Sequence, residues 1–246
     1  MEKRLDFLIS NAGLASRAEA KKMIQNKRVT VNGKVVTNPG AKYDPEHNEL
    51  KVDGRSINFR PFIYLMMNKP SGIICATQDH RWKTVCGLLP ETYACFAPYP
   101  VGRLDRDTEG FVLLTNDGAL AHRVISPKHH IPKRYFAKID GTVTEEHVSL
   151  FFKGVTLKDG YHTLPSQLIL LATGSQSEIE LTIYEGKYHQ VKRMFEAVGC
   201  RVTYLKRLEI GPLRLDPSLA PGEFRELTNQ ELSQLKQALW PGAKNV

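Results

Sequence analysis

The chain has 246 residues, 41% hydrophobic and 24% charged, a balance that fits a globular protein with room for a small domain and a medium one. No apolar run approaches the ~20 residues needed to cross a bilayer, and the start, Met1-Glu2-Lys3-Arg4-Leu5-Asp6, lacks a signal-peptide core. The net charge of +8 and these absences make a cytoplasmic protein with a polyanionic partner the expectation, with no membrane role.

Along Arg4–Asn11, Leu5, Leu8, Ile9 and Ala12 stand at helical spacing, and Gly13 ends the run. Ser16-Arg17-Ala18-Glu19 is a capping box, so a second helix starts at Ser16. At 100° per residue, Arg17, Lys21 and Arg28 fall in one narrow arc. Val29–Val36 reads as a hairpin around Asn32-Gly33. Residues 1–36 hold eight Lys/Arg against three Asp/Glu, residues 37–60 four against four, and the remainder 22 against 19. The positive excess therefore sits in the first segment. A compact basic patch suits nucleic acid better than a membrane surface, because no Trp/Phe/Leu face accompanies it. Ser56–Pro61 shifts in composition and ends on a breaker. The predicted boundaries are 1–58 for a small domain, 59–62 for a linker and 63–246 for a larger domain.

Phe62–Met67 predicts a strand, and Asn68-Lys69-Pro70-Ser71-Gly72 a tight turn. Lys69 there could face phosphate or solvent, and a supporting role is favoured. Gly102-Arg103-Leu104-Asp105-Arg106-Asp107-Thr108-Glu109-Gly110 packs five charges into seven residues between two glycines. Phe111–Thr115 follows as a buried strand, and Asn116-Asp117-Gly118 as a turn. A charged loop held against a core strand is where site residues are often mounted, although many such loops are only solvated.

Ala119–Ile125 reads as a helix capped by Asn116 or Asp117. His129 and His130 are adjacent and have no Cys or carboxylate at ligand spacing, so metal is not expected. The four cysteines form no Cys-x-x-Cys pair and are expected as reduced thiols. Lys133–Ile139 is a strand with Tyr135, Ala137 and Ile139 on one face. Glu178–Tyr184 alternates as another strand. Val191, Met194, Phe195 and Val198 give the next helix its stripe, with Lys187, Lys192 and Arg193 about its first half, suited to an anion. Val202–Ile210 is a further strand. Thr228–Glu231 is a second capping box before a helix with Leu232, Leu235 and Leu239. Walker and dinucleotide fingerprints are absent, so no nucleotide cofactor is indicated.

Gly102-Arg-Leu-Asp105, Thr108-x-Gly110 and Thr115-Asn-Asp-Gly118 together resemble the catalytic motif of the pseudouridine synthases, in the form of the RsuA-type branch that modifies ribosomal RNA. Asn68-Lys-Pro-x-Gly72, Lys133-x-Tyr135 and Glu185-Gly-x-x-x-Gln-Val-Lys-Arg-Met194 resemble the family's other motifs. Arg4-Leu-Asp-x-x-Leu, Ser16-Arg-x-x-Ala and Val29-x-Val-Asn-Gly33 resemble the S4 (αL-type) RNA-binding module. The resemblance implies an α+β fold, with an S4 domain followed by a catalytic domain whose mixed, mainly antiparallel sheet is flanked by helices.

The implied reaction converts uridine to pseudouridine in 16S ribosomal RNA, with a uridine-516-type site as the most specific expectation. It exchanges an N1–C1′ bond for a C5–C1′ bond without redox, so no cofactor and no metal are implied. The resemblance makes Asp105, Tyr135 and Lys192 the candidate catalytic residues. Asp105 would act on the ribose by attack at C1′, proton removal at C2′ or charge stabilisation. Tyr135 would stack on the flipped base, and Lys192 would pair with Asp105. Arg103 would reach into the gap left by the base. Arg17, Lys21, Arg28, Lys187 and Arg193 are further candidate RNA-binding residues. Asp107 competes with Asp105 for the carboxylate role; a glycosidase pair is disfavoured, because nothing suggests a Trp-rich sugar cleft. The alternatives are the same chemistry on large-subunit rRNA, a non-catalytic S4 ribosome-assembly factor, and a hydrolase releasing uracil. The expected state is a monomer, with small-subunit ribosomal RNA, as an assembly intermediate, for its partner.

Overall fold

The computed structural model describes residues 2–57 and 59–242. Asn58, which closes the expected first domain, lies outside the described residues. The chain forms two compact units, Met1–Ile63 with Cys86–Pro98, and Tyr64–Val85 with Tyr99–Val246.

In the first unit β1 (Lys3–Arg4) leads into α1 (Leu5–Asn11) and α2 (Arg17–Gln25). Short strands β2 (Val29–Val31), β3 (Lys34–Val35), β4 (Lys42–Tyr43), β5 (Leu50–Val52) and β6 (Arg55–Ser56) follow. Leu5, Leu8 and Ile9 close on Ala20 and Ile24, and both helices bury against Val29, Val31, Leu50 and Val52. Gly13 turns the chain at φ +75°. The capping box is complete: the Ser16 hydroxyl accepts from the Glu19 amide, and the Glu19 carboxylate accepts from the Ser16 amide. The Asn32-Gly33 hairpin has positive φ at both residues, 49° and 78°, as its turn type requires.

One boundary differs from the sequence expectation. Cys86–Pro98, with α3 (Glu91–Ala94), belongs to the first unit rather than to a continuous second domain. Specific contacts hold it there: the Cys95 thiol lies 3.5 Å from the Ser10 carbonyl oxygen, and the Arg60 guanidinium sits 5.7 Å from the Phe96 ring centre.

The second unit is a nine-stranded sheet with helices on it. Its elements in chain order are β7 (Tyr64–Lys69), β8 (Tyr99–Pro100), β9 (Glu109–Thr115), α4 (Gly118–Ile125), β10 (Lys133–Asp140) and α5 (Glu145–Lys153). Then come β11 (Gln167–Ala172), β12 (Gln176–Ile183), α6 (Gln190–Ala197), β13 (Arg201–Ile210), β14 (Leu213–Arg214), β15 (Phe224–Glu226) and α7 (Asn229–Leu239). The main order is β11-β12-β10-β13-β9-β7-β15, with β14 on β13 and β8 on β9. Every pairing is antiparallel except β13 with β9. This is the expected α+β class with a mixed, mainly antiparallel sheet.

The helices α4 and α7 bury Leu120, Ala121, Val124, Leu235 and Leu239 against Phe111, Leu113 and Ile210 of the sheet. The α6 stripe Val191, Met194 and Phe195 is buried as its period predicts, and Phe195 meets Phe151 of α5 at 5.0 Å between ring centres. The first predicted strand is shifted: it runs from Tyr64 to Lys69, so Asn68 and Lys69 belong to the sheet and the turn begins at Pro70.

The parallel crossing sets up the site. Glu109 and Gly110 pair with Lys206 and Arg207. A Cβ at Gly110 would stand 2.3 Å from the Arg207 carbonyl oxygen, at φ +97°. Only glycine lets β9 start this close to β13, and the loop carrying Asp105 precedes it directly.

Candidate active site

The Asp105 loop is pinned from below by a lysine. Lys69 is fully buried, and its ammonium donates to three carbonyl oxygens, Pro70 at 3.1 Å, Arg106 at 3.1 Å and Thr108 at 2.6 Å. Burial pushes its pKa down, with Cys75, Asp107, Glu109 and Asp105 pulling the other way. Lys69 therefore faces neither phosphate nor solvent; it ties β7 to the loop. The Gly72 amide donates to the Arg106 carbonyl at 2.8 Å, the Leu104 amide to the Cys75 sulfur at 3.3 Å, and the Thr108 amide closes the turn on the Asp105 carbonyl at 3.1 Å. Asp105 is thus held by a backbone fixed at both ends.

A second loop, Tyr184–His189, meets the first. Glu185 is buried and accepts from the Tyr161 hydroxyl at 2.6 Å, the Leu164 amide at 3.0 Å and the Gln190 side-chain amide at 2.8 Å. Gln190 in turn accepts from the Lys187 amide at 2.9 Å. This lattice fixes the start of α6, where His189 adopts the left-handed conformation at φ 49° and stacks on Tyr188 at 3.8 Å.

The two loops and β10 enclose a cavity lined by Arg103, Asp105, Thr108, Tyr135, Lys187, His189 and Lys192, among others. The Lys192 ammonium lies 3.3 Å from one Asp105 oxygen, and His189 Nε2 lies 3.5 Å from the other. Lys192 also donates to both Asp107 oxygens, at 2.7 and 2.9 Å. The cation is therefore shared, and its shorter bonds go to Asp107. Asp107 is 69% exposed and does not line the cavity, whereas Asp105 is 25% exposed and does. Burial opposes the charge on Lys192. The Asp107 hydrogen bond, then the charges of Asp105 and Asp107, outweigh it and raise the pKa. For Asp107 burial pushes upward, but the Lys192 hydrogen bond and charge hold the carboxyl below its ordinary range.

Tyr135 is 8% exposed on the buried face of β10, and its ring lines the cavity that holds Asp105. Arg103 is exposed and lines the same cavity. Thr108 Oγ1 is buried among the described residues with no hydrogen-bond partner. Lys187 also lines the cavity and stands 4.7 Å from the Tyr161 ring centre.

Some expected RNA contacts are already engaged. The Arg193 guanidinium is in an ion pair with Asp159. Arg28 holds both oxygens of Asp53, at 2.9 and 2.5 Å. Arg17 lies 3.7 Å from the buried carboxylate of Asp6, which also accepts two hydrogen bonds from Arg4. Of the predicted arc Arg17, Lys21 and Arg28, Lys21 is exposed with no ion pair among the described residues. Among the described residues His129 and His130 join no cluster of three possible metal ligands. Glu185 stands in a motif, but neither its role as organiser nor the place of His189 at the carboxylate is legible from the residues alone. Tyr161, which orients Glu185, lies in a stretch with no motif.

Comparison with known proteins agrees with this geometry. The RNA pseudouridylate synthase family matches residues 63–197, and the S4 domain matches residues 3–49. The chain is 48% identical over 235 residues to the RNA pseudouridine synthase YtzG of Bacillus subtilis (strain 168), covering 95% of this chain and 98% of that one. It is 42% identical over 234 residues to the ribosomal small subunit pseudouridine synthase A of Escherichia coli (strain K12), covering 94% and 99%. A crystal structure of a pseudouridylate synthase superposes with a TM-score of 0.66 at 37% identity, covering 94% of this chain and 99% of that one. A cavity that joins an aspartate, a lysine and a tyrosine across three separate motifs, on a sheet of the same fold, belongs to a chain of the RNA pseudouridylate synthase family with an S4 domain.

Proposed function

We propose that the chain isomerises one uridine of small-subunit ribosomal RNA, at a uridine-516-type position, with Asp105 as the carboxylate that acts on the ribose. One observation carries the site assignment: Asp105 and Tyr135 line a single cavity with Lys192 3.3 Å from the carboxylate. The choice of small-subunit RNA is supported by a relative of that name at 42% identity.

In the reaction the N1–C1′ bond breaks, the uracil turns, C5 bonds to C1′, the C5 proton leaves and N1 ends protonated. Tyr135 supplies a flat apolar surface on which the flipped uracil stacks and turns. Lys192 stands 3.3 Å from the Asp105 carboxylate and holds it toward the ribose, where it meets the charge developing at C1′. Arg103 fills the space in the strand that the base has left. The S4 unit supplies electrostatic grip through Lys21 and the outward part of Arg17. The protein acts as a cytoplasmic monomer on an assembly intermediate.

The test is a pseudouridine map of ribosomal RNA from a deletion strain, with and without the restored gene. Loss of one small-subunit modification, returned by the wild-type chain and not by Asp105→Asn, supports this reading. Loss of a large-subunit site assigns the enzyme to the other RNA, and an unchanged map removes ribosomal RNA as the substrate.

A further inference from the structure

The Asp105 cavity uses one side of the Tyr135 neighbourhood. A second cavity shares Arg103, Tyr135 and Gly186 with it and is lined by Lys133 and Arg207. Lys133 precedes Tyr135 by two residues, so both lie on the buried face of β10. Arg207 is the cross-strand partner of Tyr135 on β13. Both cations are more than nine-tenths buried, at 8% and 4% exposure.

Neither cation is in an ion pair among the described residues. Arg207 donates through Nε to the Phe111 carbonyl at 2.7 Å, but its Nη2 is buried with no partner among the described residues. Lys133 has no carboxylate partner among the described residues. Burial, and then repulsion from Arg207, bring its pKa down to about 8. Among the described residues the acid lining the cavity is Glu185; its oxygens accept from Tyr161, Leu164 and Gln190 and form no ion pair with either cation. Two adjacent buried cations, neither held in an ion pair, suit a ligand that brings negative charge and acceptor oxygens.

We propose that this cavity binds one backbone phosphate of the substrate RNA beside the target uridine, with Lys133 and Arg207 as its ligands. A neutral base carbonyl would leave both charges uncompensated, whereas a phosphate offers oxygens to the Arg207 Nη2 and the Lys133 ammonium at once. The strand carries a phosphate at every nucleotide, and the cavity joins the Asp105 cleft at Tyr135 and Arg103. A nucleotide stacked on Tyr135 therefore brings its own backbone to this opening. Apolar walls such as Val124 and Ile210 exclude water and strengthen the interaction. The inference rests on the assignment of the Asp105 cleft to the uridine.

The test uses the full chain and an RNA fragment carrying the mapped uridine. Each phosphate within three nucleotides is replaced in turn by a neutral methylphosphonate. Binding of the unaltered fragment is measured first; its absence counts against the uridine assignment itself, not against the pocket alone. With binding in hand, one neutral replacement should weaken the wild type about ten- to a hundredfold, the range for a hydrogen bond to a charged group. Lys133→Met should bind weakly and be insensitive to that same replacement. Its melting temperature should be no lower than the wild type's, because an isosteric apolar side chain removes the clash with Arg207. A purely structural lysine would give the reverse, with lower stability and unchanged RNA affinity, and that result overturns the proposal. So does equal sensitivity of both proteins to every replacement. Inorganic phosphate is the second probe: if it raises the Lys133 titration while no strand phosphate matters, the pocket holds a free anion and the RNA assignment fails.

Discussion

Two lysines near Tyr135 sit in opposite electrical settings. Lys192 and Lys133 are both largely buried, and burial pushes both pKa values down. Lys192 has Asp107 at 2.7 Å and Asp105 at 3.3 Å, and the carboxylates reverse the effect of burial. Lys133 has Arg207 instead, which adds to it, and the value falls to about 8. The same side chain is thus made more cationic on one side and less so on the other. The difference is the sign of the neighbour, not the depth of burial. Lys192 is complete within the protein and holds the Asp107 carboxyl below its ordinary range. Lys133 is incomplete, and suits a ligand that arrives with its own charge.

Among substitutions that leave Asp105 in place, Lys192→Met should have the largest effect on activity. It removes the cation from two carboxylates at once, and single-turnover measurements should show a loss of about a hundredfold, near 2.7 kcal/mol of barrier. Asp107 loses the cation that holds its carboxyl below the ordinary range, so its own titration should move to higher pH. Lys192→Arg keeps the charge and should retain part of the activity. A loss confined to RNA affinity, with the single-turnover rate at saturating protein unchanged, would assign Lys192 to RNA binding instead.

Lys69→Met comes next, and it should act through stability. Three carbonyl oxygens around the Asp105 loop lose the ammonium, although Arg106 keeps the Gly72 amide, so the unfolding free energy should fall by about 2–4 kcal/mol in a denaturant titration. Activity should fall with it, because the loop is no longer anchored to β7. Unchanged stability would mean that water replaces the ammonium without loss.

Lys133 gives a smaller effect with a distinctive pH dependence. Its folded-state pKa lies below its ordinary value of 10.5, at about 8. In that window the unfolded chain binds the proton and the folded chain does not, so wild-type stability rises with pH between about 8 and 10.5. Below 8 the folded state bears the full penalty, on the order of 3 kcal/mol. Lys133→Met lacks this dependence, so its stability advantage should be greatest below pH 8 and shrink above it. Parallel curves for the two proteins across that range would show that Lys133 is not held in an unfavourable charged state.

The smallest effect belongs to the first unit. Replacing Arg17 and Lys21 by Gln should flatten the salt dependence of RNA binding by about one to two units of slope. The value should lie toward one, because Arg17 is partly committed to Asp6. An unchanged slope would place the electrostatic grip in the second unit.

The contrast between the lysines also marks the limit of what the sequence makes legible. Periodicity locates β10, β12, α6 and α7 because each buries one regular face, and capping boxes mark the starts of α2 and α7 where they occur. The motif words bring Asp105, Tyr135 and Lys192 together although Lys192 and Asp107 are 85 residues apart. Lys69 and Lys133 were hidden because lysine is rarely buried, so composition assigns it to the surface. In both cases the strand register, not the residue type, decides its place. Residues 140–177 are obscure for a different reason. Of the α5 residues only Phe151 is buried, while Leu150 and Phe152 are exposed, and in the edge strand β11 Ile169 and Leu171 face outward. Apolar side chains on the wet face erase the period that would reveal either element.

Asp107 receives the shorter bonds from Lys192, yet only Asp105 lines the cavity with Tyr135. The direct test is the single-turnover rate of pseudouridine formation by Asp105→Asn and Asp107→Asn, at saturating protein and with RNA binding checked for each. Asp105→Asn should bind RNA and form no detectable pseudouridine, while Asp107→Asn should stay within about tenfold of the wild type, 1.4 kcal/mol of barrier. Equal losses in two folded, RNA-binding proteins, or an active Asp105→Asn, would contradict the assignment of the chemistry to Asp105.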